Sequence, residues 1–129
     1  MERRQMIMTF PENLRYTDSH IWVAKDGSTA TIGITDYAQD QLGDILFVDL
    51  PDVGAEFTRG DIFSEVESSK TATELPMPID GEVIAVNENL DDAPEDINDE
   101  PYEAWIIKVK TKDSLDDLMT AGEYEDFIQ

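Results

Sequence analysis

Apolar and polar positions along the chain switch in short runs, and most of those runs carry the period of β-strands. Residues 20–25 and 29–34 alternate or cluster β-formers around Asp26-Gly27-Ser28, which predicts a hairpin. Residues 45–50 (Ile-Leu-Phe-Val-Asp-Leu) are almost continuously apolar and stop at Pro51, which predicts a buried strand. Residues 62–68 and 71–77 flank Ser69-Lys70, and residues 81–86 and 104–109 complete the set. So many short strands with turn punctuation predict a small, mainly β sandwich or barrel. Helical signals lie around it. Thr35 or Asp36 caps a short helix through Leu42, with Gly43 at the position after its end. Asp113 or Ser114 opens a helix over 115–119, and a second over 121–127 sets Tyr124, Phe127 and Ile128 on one face. Residues 91–101, acidic and flanked by proline, read as one long surface loop. No linker interrupts the pattern, so the expectation is one domain over 1–129.

Composition narrows the function. The 129 residues are 40% hydrophobic, enough for a real core. Thirty acids against nine bases leave a net charge of −21. Such a surface repels phosphate backbones and anionic lipid, so the expectation is no nucleic acid, no membrane and a monomer. With no cysteine, disulfides, thiolate metal sites and cysteine nucleophiles drop out. The apolar stretch within residues 1–10 is short and broken, neither a secretory signal nor a span, and the expected compartment is the cytoplasm.

Familiar catalytic templates fail in turn. His20 is the single histidine, which makes a common zinc site implausible. No Walker loop or Gly-X-Gly-X-X-Gly occurs. Calcium-loop windows beginning at Asp92 and Asp96 place Pro94 and Pro101 at positions that such a loop cannot give to proline. His20, beside Trp22, reads as structural, with a proton shuttle as the alternative. Lys70 stands apart. It is the only cation between Arg59 and Lys108, among many acids, and falls between two expected strands. Spacing leaves two readings open: an ordinary exposed turn lysine, or an acceptor that a hairpin presents to a modifying enzyme on a flexible stem.

Three ordered blocks carry a resemblance. The first runs Thr31-Ile32-Gly33-Ile34-Thr35-Asp36-Tyr37-Ala38-Gln39, then Leu42-Gly43-Asp44 and Phe47-Val48-Asp49-Leu50-Pro51. The second is Glu67-Ser68-Ser69-Lys70, followed by Pro78, Gly81-Glu82-Val83 and Val86-Asn87. The third is Pro94, Ile97-Asn98, Pro101-Tyr102 and Trp105. From about Leu14 to Phe127 the chain resembles the glycine cleavage system H-protein family of lipoyl carriers. The resemblance implies a barrel-sandwich hybrid, lipoyl-domain-like, with short peripheral and C-terminal helices (about 114–128) and a lipoyl-bearing hairpin (about 62–77). It implies lipoic acid bound covalently to Lys70, and no active site of the chain's own. The implied partners are glycine decarboxylase (P protein), which loads an aminomethyl group, and aminomethyltransferase (T protein), which removes it. Dihydrolipoyl dehydrogenase (L protein) then reoxidises the arm, and a lipoate-attaching enzyme installs it in the first place.

One departure bears on how the loaded arm is held. Relatives usually read His-Glu-Trp where this chain reads His20-Ile21-Trp22, so a carboxylate near the arm's amine is missing. Ser19 and Glu74 match positions that remain as contacts of the loaded arm. The departure keeps alive a lipoate relay for another pathway; a non-lipoylated acidic interaction protein is the alternative of a different class. Carrier function does not demand a charge of −21. Scarce lysine and abundant aspartate point to a high-salt cytoplasm, where screening shortens self-repulsion to a few Å. Melting temperature should therefore rise markedly in molar KCl; a flat response in a thermal scan would count against salt adaptation.

Overall fold

Strands form here because small and β-branched residues alternate between a buried and an exposed face over lengths too short for helix nucleation. The computed structural model describes residues 8–129, so residues 1–7, part of the stretch read above as carrying no signal, lie outside the described residues. In chain order the elements are β1 (Arg15–Tyr16), β2 (Ile21–Asp26), β3 (Thr29–Ile34), α1 (Asp36–Leu42), β4 (Ile45–Val48), β5 (Glu56–Phe57) and β6 (Ile62–Ser68). There follow β7 (Ala72–Pro76), β8 (Gly81–Val86), α2 (Asn89–Asp92), α3 (Asp96–Asp99), β9 (Ile107–Lys110) and α4 (Ala121–Phe127). One sheet runs β1-β2-β3-β9-β8-β5 and the other β4-β6-β7, with antiparallel pairing throughout. This is the mainly β, sandwich-like barrel hybrid expected from the sequence.

The inner faces of both sheets supply one core. Ile21, Val23, Ile32, Ile34, Val83 and Val109 from the larger sheet meet Val48, Phe63, Val66 and Leu75 from the smaller. Trp22 faces the opposite way from Ile21 and Val23, as strand alternation requires. It joins Leu14, Tyr16, Ala121 and Tyr124 in a second cluster beneath α4. Gly33 makes that cluster fit: a Cβ on it would lie 2.7 Å from the Trp22 ring. Thr120 and Glu123 close a capping box at the start of α4. Tyr124 is fully buried, whereas Phe127, expected on the same face, is about half exposed.

Four expectations need correction. The run 45–50 is a strand only over Ile45–Val48, and not a buried one: Leu46 and Phe47 are 61% and 49% exposed. A register shift between Ile45 and Phe47 and an edge position in the sheet turn both residues outward. The last strand is Ile107–Lys110, shorter at its start than the 104–109 expected. The helix expected over 115–119 does not form, so the C-terminal helices expected over 114–128 reduce to α4. Arg15 Nη1 takes the carbonyls of Leu115 and Leu118, and Met119 exchanges backbone hydrogen bonds with Tyr16, so the groups a helix would use belong to β1. Finally, the acidic stretch 91–101 is not a plain loop: it overlaps α2 and contains α3, pinned by buried Leu90 and Ile97. Two apolar residues seven positions apart anchor what the surrounding charge disguised. The very short strands β1 and β5 carry no sequence signal strong enough to register.

Candidate functional site

The β6–β7 hairpin is built so that its tip stands clear of the protein. Glu65 pairs with Glu74, Val66 with Thr73 and Glu67 with Ala72, so Val66 turns into the core while both glutamates of β6 turn out. At the tip, Ser68 N–H donates to the Thr71 carbonyl at 2.8 Å, and Ser68 Oγ accepts from Lys70 N–H (3.3 Å) and Thr71 N–H (3.2 Å). Ser69 N–H reaches across to the Asp44 carbonyl at 2.9 Å. Lys70, on this tied turn, is exposed. Among the described residues the one ion pair is Arg59–Asp117, so Lys70 has none there.

Its stem has a bed. Gly43 ends α1 at φ 79°, ψ −156°, a conformation that glycine tolerates and other residues do not. A Cβ on Gly43 would sit 3.1 Å from Ser69 Oγ and 3.4 Å from Lys70 Cε. The bare glycine thus leaves the space over which the lysine stem lies. Asn98 holds this corner: its Nδ2 donates to the Gly43 carbonyl (2.8 Å) and Gln39 Oε1 (3.0 Å), and its Oδ1 accepts from Ile45 N–H (2.8 Å). Asn98 stood in the third sequence block without a role, and nothing local in the sequence shows that its side chain reaches α1 and β4.

Of the other two predicted residues, Glu74 lies further along the same hairpin and Ser19 in the turn between β1 and β2. Glu74 is exposed, four residues or roughly 13 Å of extended strand beyond Lys70. Ser19 is exposed on the wall of a cavity of about 530 Å³ shared with Arg59, Pro76, Met77, Asp117 and Phe127. Glu74 is not among the residues lining that cavity. Strand alternation nevertheless puts it on the same face of β7 as Pro76, which is. Ile21, the sequence's departure from the family pattern noted above, is fully buried in the main core.

His20 is occupied structurally. Its Nδ1 lies 2.8 Å from the Tyr124 hydroxyl, which lies 2.8 Å from Oγ1 of Thr35, the N-cap of α1. Burial pushes the His20 pKa below its ordinary value, against the opposing pull of Asp18. Burial also pushes the Tyr124 hydroxyl up to about 12. No cluster of three metal-ligating side chains occurs among the described residues, and no helix there is long and apolar enough to cross a membrane.

Comparison with known proteins decides the family. The profile of the glycine cleavage H-protein family matches residues 14–129. The chain belongs to that family. A glycine cleavage system H protein of Bacillus licheniformis is 51% identical over 125 residues, 95% of this chain and 98% of the relative. The corresponding protein of Chromohalobacter salexigens is 52% identical over 122 residues, 92% and 93% of the two chains. A crystal structure of the H protein from Mycobacterium marinum superposes with a TM-score of 0.83 at 35% identity, covering 91% of this chain and 97% of that one. The role that follows is that of a lipoyl carrier in the glycine cleavage system, a component that is not itself a catalyst.

The His20 environment carries a pH signature. A folded pKa held below the unfolded value means that the unfolded chain takes up the proton first as pH falls through about 6.5. Stability is then complete above that pH and declines below it, until the folded histidine also protonates. Between about pH 7.5 and 5.5, urea unfolding should show a smaller loss for His20→Gln than for the parent chain; equal losses would remove His20 as their cause.

Proposed function

We propose that the chain carries lipoic acid as an amide on Nζ of Lys70, as one carrier domain over 1–129, monomeric and cytoplasmic. The observation that carries this reading is Lys70 itself: an exposed amine on a hydrogen-bonded turn, free of ion pairs among the described residues, within Glu67-Ser68-Ser69-Lys70. Lipoic acid supplies a dithiolane that is reduced as it takes up a group and oxidised again afterwards. The chain's own residues position that group and present it. Tethering turns each delivery into a search of a restricted volume once the carrier has docked. The partners are glycine decarboxylase, aminomethyltransferase and dihydrolipoyl dehydrogenase in turn, after a lipoate-attaching enzyme has acted. Modification replaces the one cation in the acidic middle of the chain with a neutral amide.

Ser19 and Glu74 are proposed contacts of the loaded arm. With Ile21 given over to the core, the ammonium of an aminomethyl group needs another carboxylate, and we assign that role to Glu74, on the same face of β7 as Pro76, which lines the cavity wall with Ser19. Excluding water there would slow hydrolysis of the loaded arm.

Intact-mass measurement of the protein from its native cells should show a lipoyl adduct that Lys70→Arg abolishes. No adduct, or one that survives the substitution, sinks the Lys70 reading. Glu74→Gln should speed hydrolysis of the aminomethyl-loaded arm by several-fold, consistent with loss of a charge-assisted hydrogen bond; an unchanged rate would remove Glu74 from the site.

A further inference from the structure

We propose that the outer face of the β4-β6-β7 sheet is the docking surface for the lipoate-attaching enzyme, with Leu46 and Phe47 as its apolar anchor beside a row of glutamates. The proposal rests on the reading of Lys70 as the modified residue. Three of the large apolar side chains left exposed among the described residues belong to this small sheet: Leu46 at 61%, Phe47 at 49% and Ile62 at 46%. Phe47, Glu67 and Ala72 form one row across its three strands, beside the tip that bears Lys70. The next row of the hairpin pairs Glu65 with Glu74. Because Val48, Val66 and Leu75 fill the core from the inner face, these rows face outward. An exposed apolar strip flanked by charge marks an interaction surface, and exposure of Leu46 and Phe47 has no benefit to folding.

The occupant follows from reach and charge. An enzyme that uses the finished arm meets its reactive end a full lipoyl chain away from the hairpin. The attaching enzyme has no arm to meet. It must bring an activated lipoyl carboxyl to Nζ itself; the amine attacks, the activating group leaves with its electron pair, and the nitrogen releases a proton. Its surface is therefore forced against the residues that surround Lys70. Glu65, Glu67 and Glu74, on a chain of net charge −21, call for a basic rim around an apolar recess in that enzyme.

The test is the rate of modification by a purified lipoate–protein ligase supplied with ATP and lipoic acid, on the full-length unmodified chain. Leu46→Ser with Phe47→Ser should raise KM for the carrier about tenfold and leave kcat within about twofold, as expected for loss of an anchor rather than of the acceptor. Glu65→Gln should raise KM less and weaken its dependence on salt. Both substitutions sit on exposed or half-exposed positions, and circular dichroism with thermal unfolding checks that the fold is kept. Should the serine pair unfold the chain, Phe47→Ser alone and Glu65→Gln carry the test. Variants lipoylated by prolonged incubation should be reduced and reoxidised by dihydrolipoyl dehydrogenase at the parent rate. An unchanged KM for modification, or an equal loss in the dehydrogenase assay, overturns the docking surface while leaving Lys70 as the acceptor. A parent chain that takes no adduct, or keeps it in Lys70→Arg, overturns both.

Discussion

Packing of the three-stranded sheet onto the six-stranded one, through Val48, Phe63, Val66 and Leu75, is the contact from which the other features follow. Each of these side chains contributes about 1.5–3 kcal/mol by leaving water. They occupy one face of the small β4-β6-β7 sheet, so satisfying them determines what its other face and the hairpin tip must do. Glu65, Glu67 and Glu74 go outward, and the turn at Lys70 projects past the edge of the core. A carrier needs such an arrangement: a rigid base whose hydrogen bonds end at the lysine's own backbone, and an amine that touches little else.

A second layer of packing governs the far side of the larger sheet. Tyr124 stacks on Tyr16 at 4.9 Å between ring centroids, and its hydroxyl joins His20 to the N-cap of α1. This one residue of α4 thus connects the C-terminal helix, the turn before β2 and the start of α1. At the other end of α1, Gly43 underlies the Lys70 stem and Asn98 fastens the corner. Lys70 and the C-terminal helix thus meet opposite ends of a single seven-residue helix. That lone histidine is absorbed by architecture, in keeping with a protein that presents chemistry to enzymes and performs none.

The strongly acidic surface acts differently at different ranges. Over long distances it repels other negative charge. At the hairpin it is local, since the glutamates of β6 and β7 lie to one side of the apolar strip on the edge strand β4. The same charges act at both ranges, and salt screens the long-range repulsion more readily than close contacts.

Sequence by itself determined the strand inventory of the centre of the chain, the α1 caps and the candidate lysine, because all of these depend on neighbours a few residues apart. Strand period, turn residues and capping side chains are local properties, so β6, β8, Thr35 and Gly43 were legible. The directions of Leu46 and Phe47 were not: an unbroken apolar run has no period to read, and the bulge that turns both outward exists only in register with β6. Residues 115–119 have helical spacing, yet Arg15 and Tyr16 claim their backbone groups from a hundred positions away in the chain. Ser19 and Glu74 were named together, from the resemblance. Only the tertiary structure decided that one lies on a cavity wall and the other on an outer strand face, since long-range pairing sets those positions. Local spacing and the ordered family blocks singled out Lys70 as a candidate, and strand pairing across the whole chain chose its surroundings.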